Sequence, residues 1–105
     1  MEKHSPLTEG VYYILLALYE PRHGYGIMQF VSELSKGRVE LGAGTIYGAI
    51  QTLVKKSWIM PLEEDGRKKE YVITDEGKVI VEQEVQRLHE LYENGLLVTK
   101  GENEK

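Results

Sequence analysis

Apolar positions recur at helical spacing in four stretches of the chain, and alternate in two short stretches between the third and the fourth. Leu7, Val11, Ile14, Leu15 and Leu18 lie on one stripe and predict a first helix. Ser5-Pro6 and Thr8-Glu9 both suit its start, because Ser and Thr cap orphan amides and Pro fits the first turn. Pro21 stops it. Ile27, Phe30, Val31 and Leu34 form the stripe of a second helix, opened by His23-Gly24-Tyr25-Gly26 and closed by Lys36-Gly37, a cation followed by a glycine that tolerates left-handed backbone. Arg38 to Gly42 connects it to a third helix over about residues 43–56, whose buried stripe is Ile46, Ile50 and Leu53.

Trp58 to Leu62 and Lys69 to Ile73 read as two strands, joined by Glu64-Asp65-Gly66-Arg67-Lys68. Asp65-Gly66 supports a tight reversal. Tyr71 and Ile73 are expected on the core side, Glu70 and Val72 on the other. Pro61 cannot donate a ladder bond, so its strand is an edge or its amide position points outward. Thr74 then caps a fourth helix with Asp75 and Glu76 in its first turn, where the helix dipole favours anions. A full capping box is missing because Gly77 stands where Glu would be. This helix is expected to reach about Leu97, leaving Gly101 to Lys105 as a polar tail. The fold class is therefore mainly α with a small β-hairpin: a winged helix-turn-helix over residues 1–74, followed over residues 75–105 by a long C-terminal dimerisation helix and tail. A winged helix-turn-helix commonly reads duplex DNA.

Charge sharpens this picture. The 105 residues carry a net −4, unevenly spread. Residues 36–69 hold seven basic side chains against four acidic ones, whereas residues 70–105 hold nine acidic against four basic. The positive segment is the third helix with its hairpin, which is the footprint of an anion-binding face. Cysteine is absent, which removes disulfides and thiolate chemistry and fits a reducing cytoplasm. The longest apolar run, Val11 to Tyr19, is too short to span a bilayer. His4, His23 and His89 are far apart and lack partners at ligand spacing. No serine sits in a nucleophile motif and no loop cradles phosphate. Neither a metal, a cofactor nor an enzymatic activity is expected.

On the third helix Thr45, Tyr47, Gln51 and Lys55 lie off the buried stripe and are candidates for DNA contact. Gln51 can pair with an adenine edge, Thr45 and Tyr47 can bond phosphate or base, and Lys55 can neutralise phosphate. Tyr47 is open between this role and packing on the second helix. Arg67, Lys68 and Lys69 at the hairpin are candidate phosphate contacts, against the alternative of edge protection by lysine. On the fourth helix Val81, Val85, Leu88 and Tyr92 are spaced four, three and four, a heptad-like seam for a homodimer that would suit a palindromic operator.

Three segments together resemble the PadR-type transcriptional regulators. His23-Gly24-Tyr25-Gly26-Ile27 is similar to the family's HGYxI. Gly44-Thr45-Ile46-Tyr47 with Leu53 resembles its recognition helix. The run from Arg67 to Gly77 resembles its wing-to-helix junction. One departure stands out: Ser57-Trp58-Ile59 occupies the place of the family's Gly-[LIF]-[LIV], which puts that local turn in question. The single C-terminal helix is similar to the short-form members. The resemblance implies a dimeric repressor of double-stranded DNA, released by a small aromatic or drug-like effector. The alternative is a winged-helix module that docks another protein and does not bind DNA.

Overall fold

The computed structural model describes residues 5–62 and 69–103, the last three by backbone alone. The element order is α1 (Glu9–Ala17), α2 (Gly24–Leu34), α3 (Ala43–Lys55), β1 (Ile59–Leu62), β2 (Glu70–Ile73) and α4 (Asp75–Asn103). Caps define the helix starts. The Val11 amide donates to Thr8 Oγ1 at 3.2 Å, so Thr8 and not Ser5 opens α1. The Gly26 amide donates to His23 Nδ1 at 3.3 Å and opens α2. α2 ends in the left-handed region, with φ of 57° at Lys36 and 79° at Gly37, and the Gly37 amide closes the turn on Ser32 O at 2.7 Å.

Ile14, Leu15 and Leu18 of α1 and its end, Ile27 and Val31 of α2, and Ile46 and Leu53 of α3 are all at most 1% exposed, and they share a core with Ile59 and Ile73 of the hairpin. Each such side chain contributes about 1.5–3 kcal/mol through burial. β1 and β2 pair antiparallel, with Ile59 opposite Ile73 and Pro61 opposite Tyr71. On its other side Tyr71 exchanges both backbone hydrogen bonds with Arg22, at 3.1 and 2.9 Å. An antiparallel residue directs its N–H and C=O to the same side. Tyr71 thus turns both away from Pro61, whose missing N–H falls on the outer edge of β1, where it costs no ladder bond. Arg22 holds this arrangement: its Nε donates to Ala17 O at 2.7 Å and its guanidinium lies 4.4 Å from the Phe30 ring centroid.

Ser57, in the position where the family carries glycine, has φ of 67°. The left-handed turn is therefore present without the glycine that favours it. It is locked from outside: the Thr74 hydroxyl donates to Ser57 O at 2.7 Å, and the Thr74 amide to Trp58 O at 2.9 Å. Left-handed backbone costs a non-glycine residue about 1–2 kcal/mol, partly offset by the unfolded-chain entropy that glycine adds, about 0.4–1 kcal/mol. Ser57→Gly is expected to stabilise the fold by about 0.5–1 kcal/mol, read as a higher urea midpoint with an unchanged slope. A lower midpoint would show that the serine side chain matters more than the backbone angle.

α4 departs from expectation in two ways. It continues to Asn103, well past Leu97. Its opening turns also belong to the winged-helix core: Val81 is 3% exposed and Glu84 is 2% exposed. Val81, expected in the dimer seam, is instead covered by its own chain, since α4 packs on α1 before it leaves the domain. The core is therefore continuous across residue 74, where the sequence suggested a division. Glu84 is held by Arg87, which donates from Nε at 3.0 Å and from its second nitrogen at 2.5 Å. Burial raises the Tyr12 hydroxyl above its ordinary range, and the Glu84 carboxylate adds to the effect. Among the described residues no helix is long and apolar enough to cross a membrane.

Candidate nucleic-acid interface

α3 is amphipathic by residue size as well as polarity. Ile46, Ile50 and Leu53 are 0–3% exposed on the inner face. The opposite face carries Gly44, Gly48, Gln51 and Lys55, all exposed, at the four-three-four spacing of a single stripe. Thr45 and Thr52 flank it on one side, Tyr47 on the other. A Cβ placed on Gly42, Gly44 or Gly48 would meet nothing within 4 Å, so the backbone of this face is bare and open to close approach. Gly42 opens the helix without any side-chain cap. The first amides of α3 are thereby left for an external acceptor, and the helix dipole favours an anion there. α3 contains no Asp or Glu.

Of the residues expected to meet DNA, Thr45, Gln51 and Lys55 are exposed on or beside this outer face. Tyr47 packs and is also exposed. Its ring lies over the start of α2, where a Cβ on Gly24 would come within 2.7 Å of the Tyr47 hydroxyl oxygen and 2.9 Å of Cζ, yet 52% of Tyr47 remains accessible. Gly24 of the second-helix motif therefore exists to seat Tyr47 of the third-helix motif, a coupling that separate motifs cannot reveal. Lys69 is exposed at the start of the returning strand. Arg67 and Lys68 lie outside the described residues.

Other contributors escaped sequence reasoning. Tyr25, 60% exposed, follows Gly24 in α2 and accepts a hydrogen bond from Gln29 Nε2 at 3.4 Å. Lys56 places its ammonium 5.1 Å from the Trp58 ring centroid. Tyr25 stands in the second-helix motif and Lys56 in the basic segment, but neither signal assigns its residue to this face. The dimer candidates separate: with Val81 buried, the exposed seam begins at Val85 and runs through Leu88 and Tyr92, which are 48%, 38% and 64% exposed. Leu91, 54% exposed, widens it. Among the described residues no cluster of His, Asp or Glu could hold a metal ion.

Comparison with known proteins agrees with this geometry. Residues 13–83 match the transcriptional regulator PadR-like family. An uncharacterized 37.1 kDa protein in transposon TN4556 of Streptomyces fradiae is 37% identical over 79 residues, which are 74% of this chain and 22% of that protein. The chain thus spans less than a quarter of that relative. Among solved structures, RosR of H. salinarum is 30% identical with a TM-score of 0.65, over 80% of this chain and 76% of that one. The PadR family transcriptional regulator of Eggerthella lenta is 25% identical with a TM-score of 0.71, over 85% and 80%. BpsR of Bordetella bronchiseptica, 18% identical over 88% of this chain and 62% of that one with a TM-score of 0.68, shares the fold. With the family match covering most of its length and its motifs meeting in space at Gly24 and Tyr47, the chain belongs to the PadR-like family of transcriptional regulators.

Proposed function

We propose that this regulator is a cytoplasmic homodimeric repressor that binds a palindromic operator in double-stranded DNA. α3 enters the major groove, Lys69 with Arg67 and Lys68 contacts the flanking backbone, and Val85, Leu88, Leu91 and Tyr92 of α4 join the two copies. The observation that carries the reading is the outer face of α3. Bare glycines, Thr45, Gln51 and Lys55 project from a helix without acidic residues, inside an otherwise acidic chain. Gln51 is the base-reading residue, because its amide can donate to and accept from one adenine. Thr45 and Tyr47 reach the groove through their hydroxyls, and Lys55 contacts phosphate. Release by a small aromatic effector completes the proposal. In BpsR, a protein of the same fold, DNA binding is regulated by 6-hydroxynicotinic acid.

The operator can be recovered by sequencing genomic fragments retained by the immobilised protein. On that duplex Gln51→Ala is expected to cost about 1–3 kcal/mol, with little change on scrambled DNA. Lys55→Ala is expected to weaken both. Wild-type affinity should fall steeply with salt as phosphate counterions are released. The acidic α4, with Glu82, Glu90 and Glu93 exposed, favours the alternative of a protein-docking module. Salt-insensitive or undetectable duplex binding would support that alternative and remove the DNA reading.

A further inference from the structure

We infer that Glu84 is a positioning residue. Its buried pairing with Arg87 fixes the angle at which α4 leaves the domain, and through that angle the spacing at which the two α3 helices of a dimer meet DNA. The spacing half of the inference rests on the dimeric DNA reading above; the angle half does not.

Glu84 is the only buried polar or charged side chain among the described residues. It stands where an apolar residue is due. Gly77, Val81, Glu84, Leu88 and Leu91 follow one another at steps of four, three, four and three, the spacing of a packed stripe. Gly77 and Val81 are buried by the domain, and no described side chain of α4 beyond Glu84 is buried. Glu84 is thus the last point at which α4 is held before its exposed length begins. Arg87 engages both carboxylate oxygens, from Nε at 3.0 Å and from its second nitrogen at 2.5 Å. Across from it on α1, burial first and this carboxylate second raise the Tyr12 hydroxyl. The charge therefore lies against α1 and not only along its own helix.

Stability does not account for a charge at this place. A buried ion pair replaced by apolar side chains of like volume is often as stable or more so. What a single buried polar group supplies is register, because few dockings satisfy it. An apolar side chain at this position would let α4 tilt or slide on α1 with little change in burial. A carboxylate bound through both oxygens does not allow that.

Leverage sets the size of the effect. From Glu84 to Asn103 α4 runs nineteen residues, about 28 Å at 1.5 Å per residue. A tilt of about 10° moves its far end by roughly 5 Å. With two copies joined along α4, the same tilt swings the two domains in opposite senses, and one base pair is only about 3.4 Å of duplex. Small errors of angle at Glu84 become whole base pairs between the half-sites.

The test compares the full chain with Glu84→Met. Cysteine is absent, so Glu33→Cys on α2 and Lys100→Cys on α4, both exposed, take spin labels at those two places alone. Dilution with unlabelled protein confines the measured distance to one chain. Wild type should give one narrow distance, and Glu84→Met should widen or shift it by about 4 Å or more. On the recovered operator with one or two base pairs added or removed at its centre, wild type should lose roughly tenfold or more per step, because the duplex must be twisted to fit. Glu84→Met should bind all spacings within about threefold of one another. Its melting temperature should stay within about 3 °C of wild type or rise, since Arg87, 33% exposed, can turn to water. Should Glu84→Met fail to fold, Glu84→Gln, which keeps the volume and offers Arg87 a single acceptor, must show the same changes in distance and spacing. An unchanged label distance overturns the angle. A changed distance with wild-type spacing preference overturns the spacing. A lower melting temperature with the spacing preference intact makes Glu84 an ordinary structural residue. If wild type binds no duplex or is monomeric, the dimeric DNA reading falls, while the label distance still decides what Glu84 does.

Discussion

Gly77→Ala should lower the melting temperature by about 10–20 °C. A Cβ at this position would lie 2.2 Å from Trp58 O, 3.0 Å from Trp58 C and 2.7 Å from Ile73 Cγ1. Two of the three atoms are backbone, in the turn that carries the left-handed Ser57, so no side-chain rotation relieves the clash. The first turn of α4 must retreat from the hairpin. That retreat pulls on the Thr74 hydroxyl, which caps α4 by accepting from the Gly77 amide at 3.0 Å and donates to Ser57 O at 2.7 Å. Overpacking of this kind costs about 3 kcal/mol, and more where backbone cannot move. For a domain of this size each kcal/mol is worth roughly 4–8 °C. Gly48→Ala is the matched control. Its Cβ would meet nothing within 4 Å, and alanine gains about 0.5–1 kcal/mol over glycine inside a helix. Thermal unfolding followed by circular dichroism should therefore move in opposite directions for the two variants. A Gly77→Ala melting temperature within a few degrees of wild type would mean that α4 is not anchored on the Trp58 carbonyl.

The same glycine shows what could be read along the chain and what could not. Its place in the fourth-helix start was visible as a missing capping-box Glu and as the last residue of the wing-to-helix resemblance. The reason for the gap, the Trp58 carbonyl nineteen residues earlier pressed against the helix, is a contact between elements and leaves no trace in local propensity. Helix starts were readable because caps are local: Thr8, His23, Gly42 and Thr74 all precede their helices in the structure. The end of α4 was not, because Gly101, read as the start of a tail, lies inside a helix that runs to Asn103. The exposed face of α3 followed from periodicity. The seating of Tyr47 on Gly24 did not, since periodicity places a residue on a face and is silent about what it touches. Val81 shows the converse error. Its spacing fits the seam, and the seam and the core-facing stripe of α4 are one continuous stripe, so sequence alone could not mark the point where burial by this chain ends and the exposed stripe begins.

Leu88→Glu should convert the proposed dimer to monomers while leaving the fold intact. The stripe that Val81 and Glu84 bury against α1 continues along α4 as Val85, Leu88, Leu91 and Tyr92, each 38% exposed or more. A helix of 29 residues thus carries its apolar face beyond its own domain, in a molecule 63 Å long and 20 Å thin. Contiguous exposed apolar surface of this kind marks an interaction site. Leu88 lies at the middle of the exposed stretch. In the proposed dimer both copies of a glutamate there would be buried without partners, at about 3–5 kcal/mol for an uncompensated charge. Every 1.4 kcal/mol is tenfold, so the dissociation constant should rise by roughly a hundredfold or more. The folded monomer is spared, because in the isolated chain Leu88 already meets solvent; Val81→Glu, by contrast, would place the charge in the core and unfold it. Leu97→Glu controls for charge alone. Leu97 is 73% exposed and lies half a turn round the helix from Leu88, off the stripe. Light scattering should report monomer for Leu88→Glu and dimer for Leu97→Glu and wild type, with superimposable far-ultraviolet spectra. Operator affinity should fall with Leu88→Glu, because two half-sites are then bound by separate molecules. A Leu88→Glu protein that remains dimeric would remove this stripe from the interface and require the two copies to meet elsewhere.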